Sequence, residues 1–431
     1  NSKENVSKGS FKEFLKRKDI VFSAKRYGVD ALGAMAQGLF ASLLVGTIIK
    51  TLGQQLLRLG SNEIFQFLVN AGTFCCEPHV VGAAMACGIG FAMSAHNLVL
   101  FSLITVGATA NTLGGAGGPL AVLVIAIAAA EAGMLVSKKT KVDILVTPIV
   151  TILAGTLLAV LFAKYIGIAA SWVGNLIMLT TELHPFVMGI LVSVVVGVAL
   201  TLPISSAAIC AALGLTGLAG GAAVAGCCAQ MVGFAVLSFK ENRWGGLLSQ
   251  GLGTSMLQMP NIVKNPKVWI VPILVSAITG PFSTCVFKME MNGAAVSSGM
   301  GTCGLVGQIG VVTGWYSPSK QAVAWAEKKE ENNAAVQTSD DATTNTVESN
   351  NSALSVNNES ATAENAAIQT ETTAPTEEKT TEQKLAKNPG FFDWFGLLMT
   401  SFILPGVLCY VFGKVFRKTG WIKDNDLLLE N

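Results

Sequence analysis

Apolar residues run along most of this chain in long blocks separated by short polar stretches. A helix that crosses a bilayer needs about 20 mostly apolar residues. The blocks at 31–49, 64–86, 97–110, 119–136, 146–163, 185–202, 217–237, 268–287 and 392–416 are predicted to be such helices. Four shorter apolar pieces lie between them, at 166–179, 207–215, 247–263 and 299–312. These are too short or too rich in glycine to span. They read as re-entrant hairpins or broken helices, which survive at membrane depth only inside protein or along a cavity. The pattern predicts an all-α polytopic membrane protein of about ten transmembrane helices with re-entrant hairpins.

Charge sharpens this picture once it is divided along the chain. The 431 residues are 51% hydrophobic and 13% charged, with a net charge of only +2. Residues 327–386 hold twelve acids and four bases, so the other residues hold fifteen acids and twenty-five bases. The apolar part is therefore net +10 and the insert net −8. The insert is rich in Asn, Thr, Ser, Ala and Glu and has almost no large apolar side chain. It cannot offset its ordering entropy by burial, and is expected to be disordered over 327–387.

The remaining organisation follows from the basic residues. Lys and Arg cluster in the N-terminal segment (Lys12, Lys16, Arg17, Lys18, Lys25, Arg26) and in the loops Lys138-Lys139-Thr140-Lys141 and Lys240-Glu241-Asn242-Arg243. They cluster again near the end, at Lys414, Arg417, Lys418 and Lys423. Basic short loops stay cytoplasmic, so both termini are expected on that side. Residues 1–28 form a cytoplasmic amphipathic segment, since Phe11, Phe14, Leu15 and Phe22 alternate with lysines and no signal-peptide core is present. Membrane domain 29–316, insert 327–387, last helix 391–418 and cytoplasmic tail 419–431 complete the division. The nine cysteines mostly sit in apolar or small-residue stretches, as buried thiols do and disulfide frameworks do not.

Polar residues inside apolar blocks are the candidate chemistry, because burying an ionisable group in a membrane is costly. Glu290 leads, with Asn292 beside it, between Gly280-Pro281 and the small-residue run 299–304. A broken helix beside a carboxylate is a transporter-like substrate site, and a carboxylate accepts strong hydrogen bonds from sugar hydroxyls. The alternative is a Lys288–Glu290 pair at the surface. His184 precedes Pro185 and is either a site residue or a helix start. Ser205 and Ser206 follow Pro203 and either line a pore or cap a helix. Gln230, Gln258 and Asn261 lie in apolar, glycine-rich stretches. Amides suit a neutral polyol, and they equally suit bonds between helices. The run 107–118 lacks the Lys and Ser/Thr of a phosphate loop and reads as an unwound membrane segment. Cys75-Cys76-Glu77-Pro78-His79 does not match a four-ligand zinc spacing. No metal, no cofactor and no nucleic-acid partner is indicated.

Several stretches together resemble a family. They are Leu113-Gly-Gly-Ala-Gly-Gly-Pro119, Ser137-Lys-Lys-Thr-Lys-Val-Asp-Ile-Leu-Val-Thr-Pro148, Cys227-Cys-Ala-Gln-Met-Val-Gly-Phe234, Gly251-Leu-Gly-Thr-Ser-Met-Leu-Gln-Met-Pro-Asn261 and Phe287-Lys-Met-Glu290. The chain resembles the second family of phosphotransferase-system (PTS) IIC sugar permease components, which includes regulatory proteins of the perfringolysin-regulator (PfoR) type. The resemblance implies an IIC-like bundle with re-entrant hairpins, a homodimer, and a bacterial plasma-membrane location. It implies carriage of a sugar or polyol, with Glu290 at the position of the family's substrate-side Glu. Met291-Asn292 stand where that family usually has Pro, and the region 202–206 holds serines where it has His. It also implies separate cytoplasmic IIA and IIB phosphocarrier partners, because no phosphate-accepting residue is identified in this chain. The PfoR likeness leaves a second reading open: a membrane regulator that binds a small molecule without transporting it.

Overall fold

The computed structural model describes residues 23–327 and 385–429. The expected N-terminal segment 1–28 and acidic insert 327–387 thus lie almost wholly outside the described residues. Within them the chain is helical, and its only extended pairing is an isolated bridge between Gly217 and Met291.

Six helical runs are long and apolar enough to cross a membrane. They are α1 (Arg26–Leu59), the run Asn97–Val136, α6 (Asp143–Thr181), α9 (Gly217–Leu237), α10 (Lys267–Val286) and α11 (Phe391–Lys418). A seventh forms if α2 (Glu63–Cys75) and α3 (Pro78–Ala92), which meet at 57°, count as one. The structure therefore supports six or seven span candidates in place of about ten. One physical reason is fusion: the expected block 146–163 and the short piece 166–179 form a single 39-residue helix. A wide π turn at Ala159–Ala163 carries that helix past Lys164 without a break. Another reason is length, since α7 (Pro185–Thr201) has only 17 residues.

The 40-residue run Asn97–Val136, counted above as one candidate, is not straight. It folds back on itself as α4 (Asn97–Gly114) and α5 (Gly118–Val136). Gly115 makes the turn at φ +51°, a conformation open to glycine. A Cβ on Gly114 would meet Ala121, and one on Gly133 would meet Val99, so the two helices are antiparallel neighbours.

The helices sort into two groups. In the first, α2 and α3 run back along α1, and α3, α4, α5 and α6 pack in sequence around a core of Met85, Ile89, Leu103, Ile125 and Met134. In the second, α7, α9 and α10 pack together and α11 lies along α9. Small residues allow close approach: Gly82 faces the backbone of Gly107, and Gly189 that of Gly280. α6 is the least covered run, with 22% of its apolar window buried. Exposed Leu153, Val160, Phe162 and Trp172 would be an aggregation surface in water and form a lipid-facing surface in a bilayer.

The basic segments gather at one end of the bundle. The Arg26 guanidinium donates to the Met93 carbonyl and the Tyr27 hydroxyl to Glu131, near the 138–141 loop. Arg417 pairs with Glu241 at 2.8 Å, and Lys240 with Asp424 at 2.6 Å. The tail after α11 folds onto this same end, where Leu427 is fully buried.

Candidate functional site

Where the helices break, the two groups enclose a cavity of about 360 Å³, within the size range of small-molecule sites. Five interruptions reach its wall. They are the α2–α3 junction at Cys76–Pro78, the turn at Gly115, and the gap between α7 and α8 (Ser206–Leu213). The others are the step from Gly253 to Thr254, and the loop bearing Met300 and Cys303. Helix ends leave backbone donors and acceptors without partners inside the helix, and at membrane depth these must be met by protein, water or ligand.

The wall is mostly apolar, with Leu39, Leu43, Val81, Leu200, Ile204 and Met256 among its residues. Its polar groups are amide, hydroxyl and thiol: Asn111, Thr112, Ser205, Ser206, Thr254, Cys76 and Cys303. Among the described residues, no charged side chain lines it. A phosphorylated ligand would find no counter-charge here, whereas a neutral polyol would find donors and acceptors. The interruptions are tied together. Ser205 N–H donates to the Ala116 carbonyl at 2.8 Å, and its side chain caps α8 by accepting from Ala208 N–H. The Ser206 hydroxyl donates to the Gly299 carbonyl, and the Asn111 amide to the Pro78 carbonyl, each at 2.8 Å.

Of the eight candidates from the sequence, only Ser205 and Ser206 line this cavity. Glu290 and Asn292 sit on the extended stretch after α10, where the Asn292 amide donates to a Glu290 carboxylate oxygen at 3.1 Å. That stretch lies against α9: a Cβ on Gly221 would overlap the Met289 carbonyl. Glu290 is half-buried. Lys288 is exposed, and no Lys288–Glu290 ion pair is formed among the described residues. His184 is exposed and starts α7 before Pro185.

The three buried amides have partners inside the protein. Gln230 accepts from Trp269 Nε1 at 2.9 Å and from Thr201, and donates to Ser276, joining α7, α9 and α10. Gln258 donates to Gln250 and to the Leu427 carbonyl, each at 3.0 Å. Asn261 donates to the Gln258 side chain and to the Leu428 carbonyl. Gln258 and Asn261 thus hold the C-terminal tail. Asn261 also lines a second cavity, of about 670 Å³, at the basic end.

Sequence reading did not single out Asn111, Thr112, Thr254 or Cys303. Asn111 and Thr112 lie within the glycine-rich run 107–118, whose unwinding was expected and occurs at Gly115. Cys76 belongs to the Cys-Cys-Glu-Pro-His stretch, where Pro78 breaks the helix rather than holding a metal ligand in register. His79 instead meets the Thr112 hydroxyl at 3.2 Å. Among the described residues, no three His, Cys, Asp or Glu side chains converge as a metal site requires.

Compared with known families, residues 29–326 match the model described as phosphotransferase system, EIIC. Neither a curated protein nor a solved structure matches the chain.

Proposed function

Because the chain belongs to the phosphotransferase-system EIIC family, we propose that it carries a sugar or polyol across the bacterial plasma membrane, with the 360 Å³ cavity as its binding site. The observation that carries this reading is the convergence of five helix interruptions on an uncharged, hydroxyl- and amide-bearing cavity. Broken helices are how membrane carriers present backbone groups to a substrate. Ser205 and Ser206 form its polar wall beside Asn111, Thr112 and Thr254.

Glu290 belongs to the same proposal through the family resemblance, as a carboxylate that does not line the cavity here and would reach sugar hydroxyls from the neighbouring irregular stretch. What supports it is chain continuity: Glu290 opens the irregular stretch whose far end supplies Met300 and Cys303 to the cavity wall. Separate cytoplasmic IIA and IIB proteins would deliver phosphate, and the basic end would face them. A homodimer in the bilayer is part of the proposal.

Uptake of a labelled sugar panel into proteoliposomes, with and without phosphorylated cytoplasmic partners, tests the reading. We expect uptake of at least one sugar, and its loss in Ala207→Phe, which fills the cavity. Absence of uptake across the panel, together with stabilisation by a ligand, would establish the regulator reading instead. Glu290→Gln is expected to abolish sugar binding with expression intact; unchanged affinity in that variant removes Glu290 from the site.

A further inference from the structure

The second cavity lies between the first and the basic end. It is lined by Val29, Asp30, Gln37 and Phe40 of α1 and by Asn261, and the tail residues Leu428 and Leu429 form part of its wall. The same two stretches of chain border both cavities. Along α1, residues 29–40 border the second and Leu39, Leu43 and Leu44 the first. Along 249–261, Ser249, Leu257 and Pro260 border the second, while Gly253, Thr254 and Met256 border the first. Between the cavities Phe40, which lines the second, meets Gly253, which lines the first: a Cβ on Gly253 would overlap the Phe40 ring.

Building on the transport reading, we propose that the Phe40 ring seated on Gly253 is the gate between the substrate cavity and an exit vestibule that opens at the basic end. Three features support a movable contact. Phe40 opens a π-helical turn, Phe40–Leu44, in the middle of α1. Gly253 closes another π turn, Ser249–Gly253, and is followed by extended Thr254 at φ −159°, ψ 145°. Wide turns in helices are frequent at functional sites. The contact itself is only ring on backbone, with no hydrogen bond to break. A side chain at Gly253 would leave the ring no seat, so the small residue is what lets the gate close.

Partly exposed Cys76 and buried Cys303 line the substrate cavity and serve as native reporters, while Cys210, as buried as Cys303 but lining neither cavity, serves as a control. The experiment uses sealed vesicles holding the full chain with the tail-bearing face outward. A membrane-impermeant thiol reagent is added outside, and modification of each cysteine is read by peptide mass spectrometry. In the unaltered protein, Cys76 and Cys303 should be protected from this face. Phe40→Ala should speed their modification about ten-fold, equivalent to ~1.4 kcal/mol in the opening equilibrium, with Cys210 still protected. If the alanine variant exposes Cys210, it has lost its fold, and Phe40→Leu, which keeps an apolar side chain without the ring, supplies the comparison. Equal rates in the variant and the unaltered protein, or rapid modification before any substitution, would overturn the gate. Labelling needs no sugar, so a failed gate and a failed transport assignment give different results: the first leaves uptake intact, the second leaves the Phe40 effect intact.

Discussion

Gln230 shows what a single polar residue does in this bundle. Its amide is fully buried and engages Thr201, Trp269 and Ser276 on two other helices. Replacing it with Leu keeps the approximate volume and strands the partly buried Trp269 N–H. The cost should be about 1–3 kcal/mol, read as a lower Tm in detergent, with sugar affinity retained by the folded fraction. The sequence displays Gln230, Gln258 and Asn261 alike, as amides in apolar surroundings. It does not display their distant partners: Thr201 lies 29 residues from Gln230, and Leu427 lies 169 from Gln258. An amide that binds sugar and one that binds a neighbouring helix have the same local signature.

At the scale of elements, the docked tail is the clearest case of such distant pairing. Besides Gln258 and Asn261, Asn242 donates to the Leu427 carbonyl at 2.7 Å and accepts from Leu429 N–H at 2.9 Å. Asn265 bonds Asp426 at 2.7 Å. Asn242→Ala should therefore free the tail, seen as faster tryptic cleavage after Lys423 with the helices intact. Lys240 beside Asp424, with Arg417 further off, holds that carboxyl below its ordinary range. A depressed carboxyl favours the docked state above its unfolded pKa, and this contribution is lost as pH falls through the folded pKa. A spin label at position 423 should gain mobility below the ordinary carboxylate range, and the effect should shrink in high salt because the pair is exposed. The helix breaks were more legible than the tail. Pro185, Gly115 and Gly214 mark interruptions in the sequence, since each either lacks an N–H or allows a positive φ, whereas the break at Pro78 falls inside the block 64–86 that was expected as one span. The joining of 146–163 to 166–179 was not legible, because Lys164 looks like a boundary and the wide turn that bridges it has no sequence signal.

For the whole molecule, the gathering of basic segments at one end gives a topology prediction. Cysteines introduced at Lys139 and at Lys423 should be labelled from the same face, the cytoplasmic one, and be silent from the other. Labelling of Lys139→Cys from the outside would reverse the orientation. The amino-acid sequence by itself determined that this is a helical membrane protein, which of its segments are apolar, and some of the places where its helices break. Those properties depend on composition over about twenty residues and on the local stereochemistry of Gly and Pro. Only the tertiary structure decided which breaks meet. It brought residues near 76, 115, 205, 253 and 303 to one cavity, assigned three amides to bonds within the protein, and set Phe40 against Gly253. Convergence of this kind arises from packing between segments far apart in the chain, and no local pattern encodes it.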